Sequence, residues 1–402
     1  MFIKEVKPNL IRNSRKERTI QIELTTYEGK FISSAPSGKS IGKSEVASYN
    51  HEGIAKSLIL LKAFCKSLLG KNFFIKKIDD LNKLEELIYR FENKHGRFGG
   101  NVIYTLESVF LKAAAADKKI QVWQLINNDI NKGLKPKIPI PVGNCIGGGL
   151  HSKLIKSKKP DFQEFLLIPN EKTFSKAITI NFRAYEYAKK LLNSRKRNDE
   201  NAWMTNKTNE EVLKILKDIS KKYKLKIGLD VAASTFYKKG YYYYKNKELI
   251  RDKIDQSDYM KRLVKEYGIF YIEDAMQEED FSGFKEILNE TVSSNKKTLV
   301  VGDDLTTTNL KLVRRAVESS SVNAVIIKPN QIGSLIEVKK VVLFCKKYNI
   351  KMIFSHRSGE TMDDILADYC VGFGGDFIKS GVYGRERLIK LKRVMDIEGG
   401  LK

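Results

Sequence analysis

Seven short apolar runs in the second half of the chain carry polar side chains at one end. They read QEFLLIP, KIGLDV, IFYIED, TLVVGDD, AVIIKP, KMIFSH and DFIKSG. Six of them end in a residue that can bind a metal or move a proton: Asp230, Glu273, Asp303, Lys328, His356 and Lys379. The first run differs, because Gln163 and Glu164 precede its apolar residues. Carboxylates suit Mg²⁺, and lysine and histidine can transfer protons, so the runs predict an acidic metal site with proton-transfer groups beside it.

The stretches between these runs are long enough for one helix each, so strands and helices alternate along this half of the chain. In a barrel of parallel strands, catalytic side chains gather at the C-terminal ends of the strands. Asp230, Glu273 and Asp303 follow three successive predicted strands, so we expect them to lie together and to bind a divalent cation. We therefore predict an α/β fold with a C-terminal (β/α)8-type barrel that carries the active site.

The first part of the chain has a different pattern. Residues 1–50 alternate as strands do and end in PSGKSIGKSE, a Gly- and Ser-rich stretch that is typical of a mobile loop. Apolar residues then recur every three or four positions, which predicts helices over residues 53–69, 79–94 and 101–117. The proline-punctuated segment KPKIPIPVG marks the next change. We predict an N-terminal α+β capping domain at residues 1–130 and the barrel at residues 131–402.

The composition indicates a folded protein and narrows its partners. The chain has 402 residues, 42% of them hydrophobic, and a formal net charge of +25. That charge would suit nucleic acid or anionic lipid, but the basic clusters are scattered and no RNA-binding or zinc-finger motif accompanies them. A lysine-rich surface with an anionic small substrate is the preferred interpretation. The absence of an apolar h-region, of a membrane-length apolar run and of a C-x-x-C pair favours a cytoplasmic protein with reduced thiols and no membrane or nucleic-acid partner.

Two lysines and the segment SHRSGET supply proton-transfer and anion-binding groups. Lys328 and Lys379 each end an apolar run. Inside a closed site beside divalent cations, the pKa of such a lysine falls below its reference of about 10.4, so the neutral amine can act as a base. His356, Arg357 and Ser358 are consecutive, and together they suit an anion.

A set of motifs spread along the whole chain resembles the enolase family. The matching segments are PSGKSIG (36–42), GGGLH (147–151), DFQEF (161–165), LDVAAS (229–234), YIED (271–274), VGDDLTTTN (301–309), IIKPNQIGS (326–334), SHRSGET (355–361) and FIKSG (377–381). The stretches GNCIGGGLH and VYGRER are most similar to archaeal members. SHRSGET and KPNQIG occurring together are highly specific for this family, whereas a lone glycine motif would be weak evidence.

The resemblance implies a reaction and a cofactor. The reaction is the reversible dehydration of 2-phosphoglycerate to phosphoenolpyruvate in glycolysis and gluconeogenesis, with two Mg²⁺ ions per active site. By resemblance, Asp230, Glu273 and Asp303 hold one ion, and Ser40 in the N-terminal loop helps to hold the other. Family members assemble as homodimers or larger homo-oligomers through a segment that reads NSRKERT (13–19) here. That segment keeps Arg15 but loses the family's turn residues.

The resemblance also assigns the proton-transfer and substrate-binding roles. Lys328 takes the C2 proton, and Glu200 is the general acid that protonates the departing 3-hydroxyl. Lys379 supports the charged carboxylate, and Arg357 with Ser358 holds the phosphate. The full substrate-binding set is His151, Gln163, Glu164, Lys328, His356, Arg357, Ser358 and Lys379.

Two loops depart from the family pattern. The family reads G-D-E-G-G-F-A-P-N where this chain reads NDENAWMTN (198–206), so Asn201 and Ala202 replace glycines next to Glu200. Such replacements are unfavourable if the backbone there needs positive φ. The N-terminal loop reads SGKSIG instead of S-G-A-S-T-G, and we expect its Lys39 to face water.

Two other functions stay open at this point. A different enolase-superfamily enzyme acting on another carboxylate would carry a K-x-K motif on the second barrel strand, where this chain has QEFLLIP. A catalytically weakened enolase-like protein with a binding or scaffold role would fit the altered 198–206 loop and the +25 charge. Every expected metal ligand and both lysines are nevertheless present. Turnover of 2-phosphoglycerate separates these alternatives.

Overall fold

The N-terminal part of the chain is a sheet covered by helices. The computed structural model describes residues 1–39, 42–152, 158–293 and 297–401. The antiparallel sheet runs in the order β1-β2-β3, with strands Glu5–Arg12 (β1), Arg18–Thr25 (β2) and Lys30–Ser34 (β3). The helices are Ile54–Leu68 (α1), Asn82–His95 (α2), Gly100–Asp117 (α3) and Val122–Asn131 (α4). Ile20, Ile22 and Leu24 alternate along β2 and are fully buried, so the sheet packs one face against α1 and α3.

Helices α1, α2 and α3 lie where the apolar periodicity predicts them, and β1 to β3 lie within the alternating residues 1–50, but α4 was not predicted. β1 contains Pro8, which argues against a central strand. The proline is tolerated because β1 is at the edge of its sheet. In α4, Val122, Trp123 and Ile126 are buried, and the helix packs against a helix near the C-terminal end of the chain. That long-range packing has no signal in the local sequence.

A closed barrel forms the second part of the chain. Its strands and the small strands beside them are Ile140–Gly147 (β4), Glu164–Ile168 (β5), Trp203–Met204 (β6), Lys226–Asp230 (β7), Tyr237–Lys238 (β8), Tyr241–Tyr244 (β9), Leu249–Arg251 (β10), Ile269–Glu273 (β11), Leu299–Gly302 (β12), Ala324–Ile327 (β13), Lys351–Ser355 (β14) and Phe377–Lys379 (β15). Among the described residues, eight strands make the barrel, namely β4, β5, β7 and β11 to β15. Pairing of β15 with β4 closes it, which confirms the predicted barrel.

Helices surround the barrel. They are Phe174–Leu192 (α5), Asn209–Tyr223 (α6), Lys253–Tyr267 (α7), Phe281–Ser293 (α8), Leu310–Glu318 (α9), Pro329–Ile332 (α10), Leu335–Lys347 (α11), Ile365–Phe373 (α12) and Arg385–Gly400 (α13). Several begin at a side-chain cap, and at α6 Thr208 and Glu211 form a reciprocal capping box. In the parts of the chain described, none of these helices is both long enough and apolar enough to cross a lipid bilayer.

The barrel departs from a fully parallel one at β5. This strand runs antiparallel to both of its neighbours, with Glu164 opposite Gly147 of β4 and opposite Asp230 of β7. The start of β5 therefore lies at the same end of the barrel as the C-terminal ends of the other strands. This reversal explains why QEFLLIP carries its polar residues before its apolar ones, while the remaining runs carry them after.

The N-terminal part packs against that same end of the barrel. Ser37 and Gly359 exchange both of their backbone hydrogen bonds, at 2.8 and 2.9 Å. Asn330 donates from its side chain to Asn101 in α3 at 3.0 Å. These contacts place the loop after β3 over the polar strand ends of the barrel.

Candidate active site

The polar ends of the barrel strands converge on one small cavity beneath the loop after β3. Its lining residues are Gly38, Lys39, His151, Gln163, Glu164, Glu200, Asp230, Asp303, Lys328, Ser355, His356, Arg357, Ser358 and Lys379. Of the predicted site residues, Glu273 lies directly behind this lining, and Ser40 lies outside the described residues. Among the described residues, the lining therefore comes from nine separate segments of the chain.

Lys379 is the cationic centre of one wall. Its Nζ donates to Asp230 Oδ2 at 2.9 Å and to Glu273 Oε2 at 2.8 Å, and it lies 3.2 Å from Glu164 Oε2. Burial alone lowers the pKa of Lys379, but these three carboxylates outweigh burial and raise the pKa well above its usual value. Lys379 is thus a fixed ammonium group, suited to supporting negative charge.

Lys328 forms a short ion pair with Asp303 on the same wall. Burial lowers the pKa of Lys328, but the charges of Asp303 and Glu273 together outweigh burial, so the net shift is upward. The lowered pKa expected from the sequence depends on divalent cations beside the lysine and stays a prediction. A cation bound to Asp303 would neutralise the carboxylate that raises the pKa of Lys328, and would so favour the neutral amine.

The carboxylates of this wall fit a divalent cation. Glu273 is fully buried, and its Oε1 has no hydrogen-bond partner among the described residues. Burial and the neighbouring Asp230 raise the pKa of Glu273 to about 8. Ligand atoms of Asp274, Asp303 and Asp304 lie within 4.8 Å of one another. The predicted set of Asp230, Glu273 and Asp303 is less compact, because the Lys379 ammonium lies between Asp230 and Glu273.

Glu164, Glu200, His151 and His356 form a second cluster of polar side chains in the cavity, which we call the acid cluster. Glu200 Oε1 lies 3.5 Å from His151 Nδ1, and Glu200 Oε2 lies 3.8 Å from His356 Nε2. Ligand atoms of His151, Glu164 and Glu200 lie within 4.8 Å of one another. Glu200 Oε2 also accepts a hydrogen bond from Asn144 Nδ2 at 3.1 Å. These are two carboxyl groups and two imidazoles, a set suited to holding and moving a proton.

Glu164 and Glu200 differ in their affinity for a proton. Burial and the charge of Glu200 raise the pKa of Glu164 well above its usual value. Burial also raises the pKa of Glu200, but His151, His356 and the other neighbours of this carboxyl group outweigh burial and leave the pKa low. Within the pair, protonation therefore favours Glu164.

A buried arginine fixes the state of His356. Arg387 Nη1 lies 2.6 Å from His356 Nδ1, and burial together with Arg387 lowers the pKa of His356 well below its usual value. A guanidinium group only donates, so Nδ1 accepts and the hydrogen of the neutral ring is on Nε2, which faces Glu200. Arg387 also donates to the carbonyls of Arg357 and Ser358 at 2.6 and 2.8 Å. One guanidinium thus supports all three residues of the anion-binding segment.

The side chains of that segment are held from the N-terminal part of the chain. Arg357 Nη2 lies 3.1 and 3.0 Å from the two carboxylate oxygens of Glu45. Ser358 Oγ accepts from Arg15 Nη1 at 3.0 Å. The anion-binding segment is therefore oriented by both parts of the molecule.

The loop that carries Glu200 is organised around Asn198. Its Oδ1 accepts from the backbone N–H of Glu200 at 3.0 Å and of Ala202 at 2.9 Å. Asn201, which replaces a glycine of the family pattern, has φ of 65°, so the backbone does need positive φ at this position. Asparagine occupies that region more readily than other non-glycine residues, and Ala202 has no positive φ, so the loop accommodates both glycine replacements.

Lys39 lies inside the site wall, contrary to the prediction that it faces water. Its side chain is 10% exposed, and its Nζ donates to Asp199 Oδ2 at 2.8 Å. It also donates to the Leu150 carbonyl at 2.5 Å. Lys39 points away from solvent because the Asp199 carboxylate and the Leu150 carbonyl both accept hydrogen bonds from its ammonium group.

Comparisons with known proteins agree with the geometry. The family model "Enolase, C-terminal TIM barrel domain" matches residues 135–402, and "Enolase, N-terminal domain" matches residues 3–126. The chain is 36% identical to the enolase of Thermoplasma acidophilum over 98% of both chains. It is 32% identical to that of Archaeoglobus fulgidus over 99% of this chain and 97% of the relative. It is 34% identical to that of Ehrlichia ruminantium strain Gardel over 98% of this chain and 96% of the relative.

The chain belongs to the enolase family. As an enolase-family site, the cavity contains two supporting residues that sequence reasoning missed, Asn144 and Arg387. Both lie in quoted motifs, GNCIGGGLH and VYGRER. Asn144 could have been noticed as a polar residue among small and apolar neighbours, whereas Arg387 follows Arg385 and Glu386 and has no such signal; both side chains are buried.

A larger cavity, of about 620 Å³, lies beside this enolase-family site. Its lining includes Gly149 and Leu150, which directly precede His151 of the smaller cavity. Its other lining residues include Lys158, Lys159 and Lys245. The cluster of carboxylates, lysines and histidines that could carry out chemistry lies in the smaller cavity. Size alone therefore does not identify the catalytic site.

Proposed function

We propose that this chain is a lyase that reversibly dehydrates 2-phosphoglycerate to phosphoenolpyruvate in glycolysis and gluconeogenesis. The observation that carries the proposal is that one cavity brings together Lys328 and Lys379, each paired with carboxylates, and Glu200, which lies beside His151 and His356. Removal of a proton and of a hydroxide from neighbouring carbons requires a base and an acid at one site. Family membership supports the same reaction.

Two Mg²⁺ ions complete the proposed site. Asp230, Glu273 and Asp303 would hold one, and Ser40 stays the predicted contributor to the other. When bound, the ions supply positive charge that stabilises the doubly charged carboxylate formed by loss of the C2 proton and favours the neutral amine of Lys328. The unpaired Glu273 oxygen and the convergent carboxylates support this set.

Lys328 would take the C2 proton. Its side chain is 14% exposed and its Nζ is held by Asp303, so it approaches a bound substrate from one fixed direction. Lys379, a permanent ammonium group, would lie against the substrate carboxylate and oppose the charge that develops there.

Glu200 would protonate the departing 3-hydroxyl, with Glu164 as the source of the proton. The Nε2–H of neutral His356 faces Glu200 and would keep that carboxyl in place. His151 and Gln163 would line the substrate, and Arg357 with Ser358 would hold its phosphate. Glu45 and Arg15 pre-orient those two residues, which reduces the ordering cost of binding.

The domain organisation and assembly are part of the proposal. We propose an N-terminal domain at residues 1–130, a barrel domain at residues 131–402, and a homodimer or larger homo-oligomer. The measured mass by analytical ultracentrifugation tests the assembly. A monomer at micromolar concentration would contradict it.

A turnover assay tests the function. Purified protein with 2-phosphoglycerate and Mg²⁺ is expected to form an enol phosphate that absorbs in the near ultraviolet. Chelation of the metal should stop the reaction, and re-addition should restore it. Absence of turnover by a folded, metal-supplied protein would favour the weakened binding protein, and turnover of a different carboxylate alone would favour another superfamily activity.

A further inference from the structure

A single ammonium group joins the N-terminal loop to two separate segments of the barrel rim. Lys39 Nζ lies 2.8 Å from Asp199 Oδ2 and 2.5 Å from the carbonyl oxygen of Leu150. The side chains of Lys39 and Asp199 are 10% and 19% exposed, so this ion pair is largely shielded from solvent. A shielded, charge-assisted pair is stronger and less screened by salt than an exposed one.

In both segments the next residue belongs to the acid cluster of His151, Glu164, Glu200 and His356. Asp199 precedes Glu200, and Leu150 precedes His151. His151 Nδ1 in turn lies 3.5 Å from Glu200 Oε1. The positions of Glu200 and His151 relative to each other therefore depend on what holds their two segments together.

Asp199 is poorly fixed by other contacts. Its Oδ1 has no hydrogen-bond partner among the described residues, and its Oδ2 is the atom that Lys39 contacts. The backbone of the Glu200 loop is anchored on its inner side by Asn198. Lys39 supplies the corresponding anchor on the outer side.

We propose that Lys39 is a positioning residue for the general acid: its ion pair with Asp199 and its hydrogen bond to Leu150 hold Glu200 and His151 in register when the N-terminal loop lies over the site. The inference rests on the proposed function.

Lys39 also lines the cavity, so direct binding of the anionic substrate is the competing role. The two roles predict different kinetics. Loss of a positioning residue affects the dehydration step and lowers kcat, because a displaced acid donates its proton less well. Loss of a lysine that only attracts the substrate raises KM and leaves kcat unchanged.

The test compares two partial reactions in Lys39→Ala. Exchange of the C2 proton into D2O reports Lys328, and formation of phosphoenolpyruvate reports the acid. We expect kcat for dehydration to fall by about 10- to 100-fold while C2 exchange stays within about threefold of wild type. Lys39→Arg, which keeps the charge and the donors, should restore most of the lost rate.

A double-mutant cycle ties the effect to Asp199. Asp199→Ala should reduce dehydration in the same way, and the double variant Lys39→Ala with Asp199→Ala should be no worse than the more affected single variant. Hydrogen exchange of the backbone at residues 197–204 should rise in each variant, because an anchor has been removed. That readout requires no catalysis.

Lys43→Ala is the matched control. Lys43 also lies in the N-terminal loop and pairs with a rim carboxylate, Glu279, but their side chains are 65% and 66% exposed. We expect both rates and the exchange at residues 197–204 to stay at wild-type values in this variant.

Three results overturn the inference. They are an unchanged dehydration rate in Lys39→Ala, a change in KM alone, and additive losses in the double variant. A wild-type chain that neither exchanges the C2 proton nor forms phosphoenolpyruvate refutes the proposed function. An active wild type with an unimpaired Lys39→Ala variant refutes only the role of Lys39.

Discussion

Lys328 carries the most direct prediction at the residue scale. Lys328→Ala should lower kcat by at least about a hundredfold, because a positioned base contributes roughly that much or more. The variant should still bind metal through the carboxylates, which calorimetric titration with Mg²⁺ can check. Lys340→Ala, an exposed lysine of α11 paired with Glu337, should keep full activity. Near-wild-type turnover by Lys328→Ala would exclude Lys328 as the base.

Glu200→Gln separates the two proton transfers. Glutamine keeps the shape and can still accept from Asn144, but it cannot act as an acid. We expect phosphoenolpyruvate formation to fall by at least about a hundredfold while C2 exchange persists. Nuclear magnetic resonance of 2-phosphoglycerate in D2O measures the exchange. Loss of both reactions together would assign the acid to another group.

Residues at strand ends could be predicted because a strand end fixes where its side chain goes. Lys328, His356 and Lys379 follow apolar runs directly, and all three line the cavity. Asn144 and Arg387 could not be found in this way. Each acts through a hydrogen bond to a residue far away in the sequence, Glu200 and His356 respectively, and no local pattern encodes such a partner.

At the scale of elements, the direction of β5 was the main feature hidden from the sequence. An apolar run has no polarity of its own, so QEFLLIP is compatible with either direction. Its leading polar pair was the available clue, since a reversed strand brings its first residues to the catalytic end. The deciding fact is that β5 pairs antiparallel with both β4 and β7, and the local sequence does not encode those partners.

The backbone conformation of the Glu200 loop gives a prediction at this scale. Asn201 has φ of 65°, so Asn201→Val should destabilise the fold by about 1–2 kcal/mol and displace the acid, whereas Asn201→Gly should not. Thermal unfolding and the dehydration rate measure the two effects.

Asn193→Val is the matched control for that loop. Asn193 has φ of 47°, is exposed, and caps the C-terminal end of α5 away from the cavity. It should lose similar stability and no activity. Equal activities of the Asn201→Val and Asn193→Val variants would show that the loop conformation does not position Glu200.

At the scale of the whole molecule, a buried carboxyl joins the two parts of the chain. Glu107 of α3 is fully buried, and its Oε2 accepts from the backbone N–H of Leu335 at the start of α11 at 2.6 Å. Burial, followed by the nearby Glu85, raises the pKa of Glu107 well above 4.5. The folded protein therefore binds this proton more tightly than the unfolded chain does.

This linkage fixes the sign of a pH effect on stability. The contribution of Glu107 is fully present below the unfolded pKa near 4.5 and is lost as the pH rises through the raised folded pKa. Glu107→Gln, which stays neutral, should remove a slope of up to about 1.4 kcal/mol per pH unit over that window. Urea unfolding of both proteins at several pH values measures the difference. Glu86→Gln, an exposed neighbour on α2, should leave the slope unchanged, and parallel curves for wild type and Glu107→Gln would refute the linkage.

Barrel closure has a consequence for how the protein is made. β4 emerges from the ribosome long before its partner strand β15. The two strands pair with Ile140 of β4 opposite Phe377 of β15. Until then β4 has an unpaired edge, and such edges invite association with other chains. Arg387, which supports the anion-binding segment, is synthesised later still. The nascent chain therefore stays both inactive and vulnerable to aggregation until its last strand and helix are in place, so slow steps late in translation should harm the yield of this protein more than slow steps early.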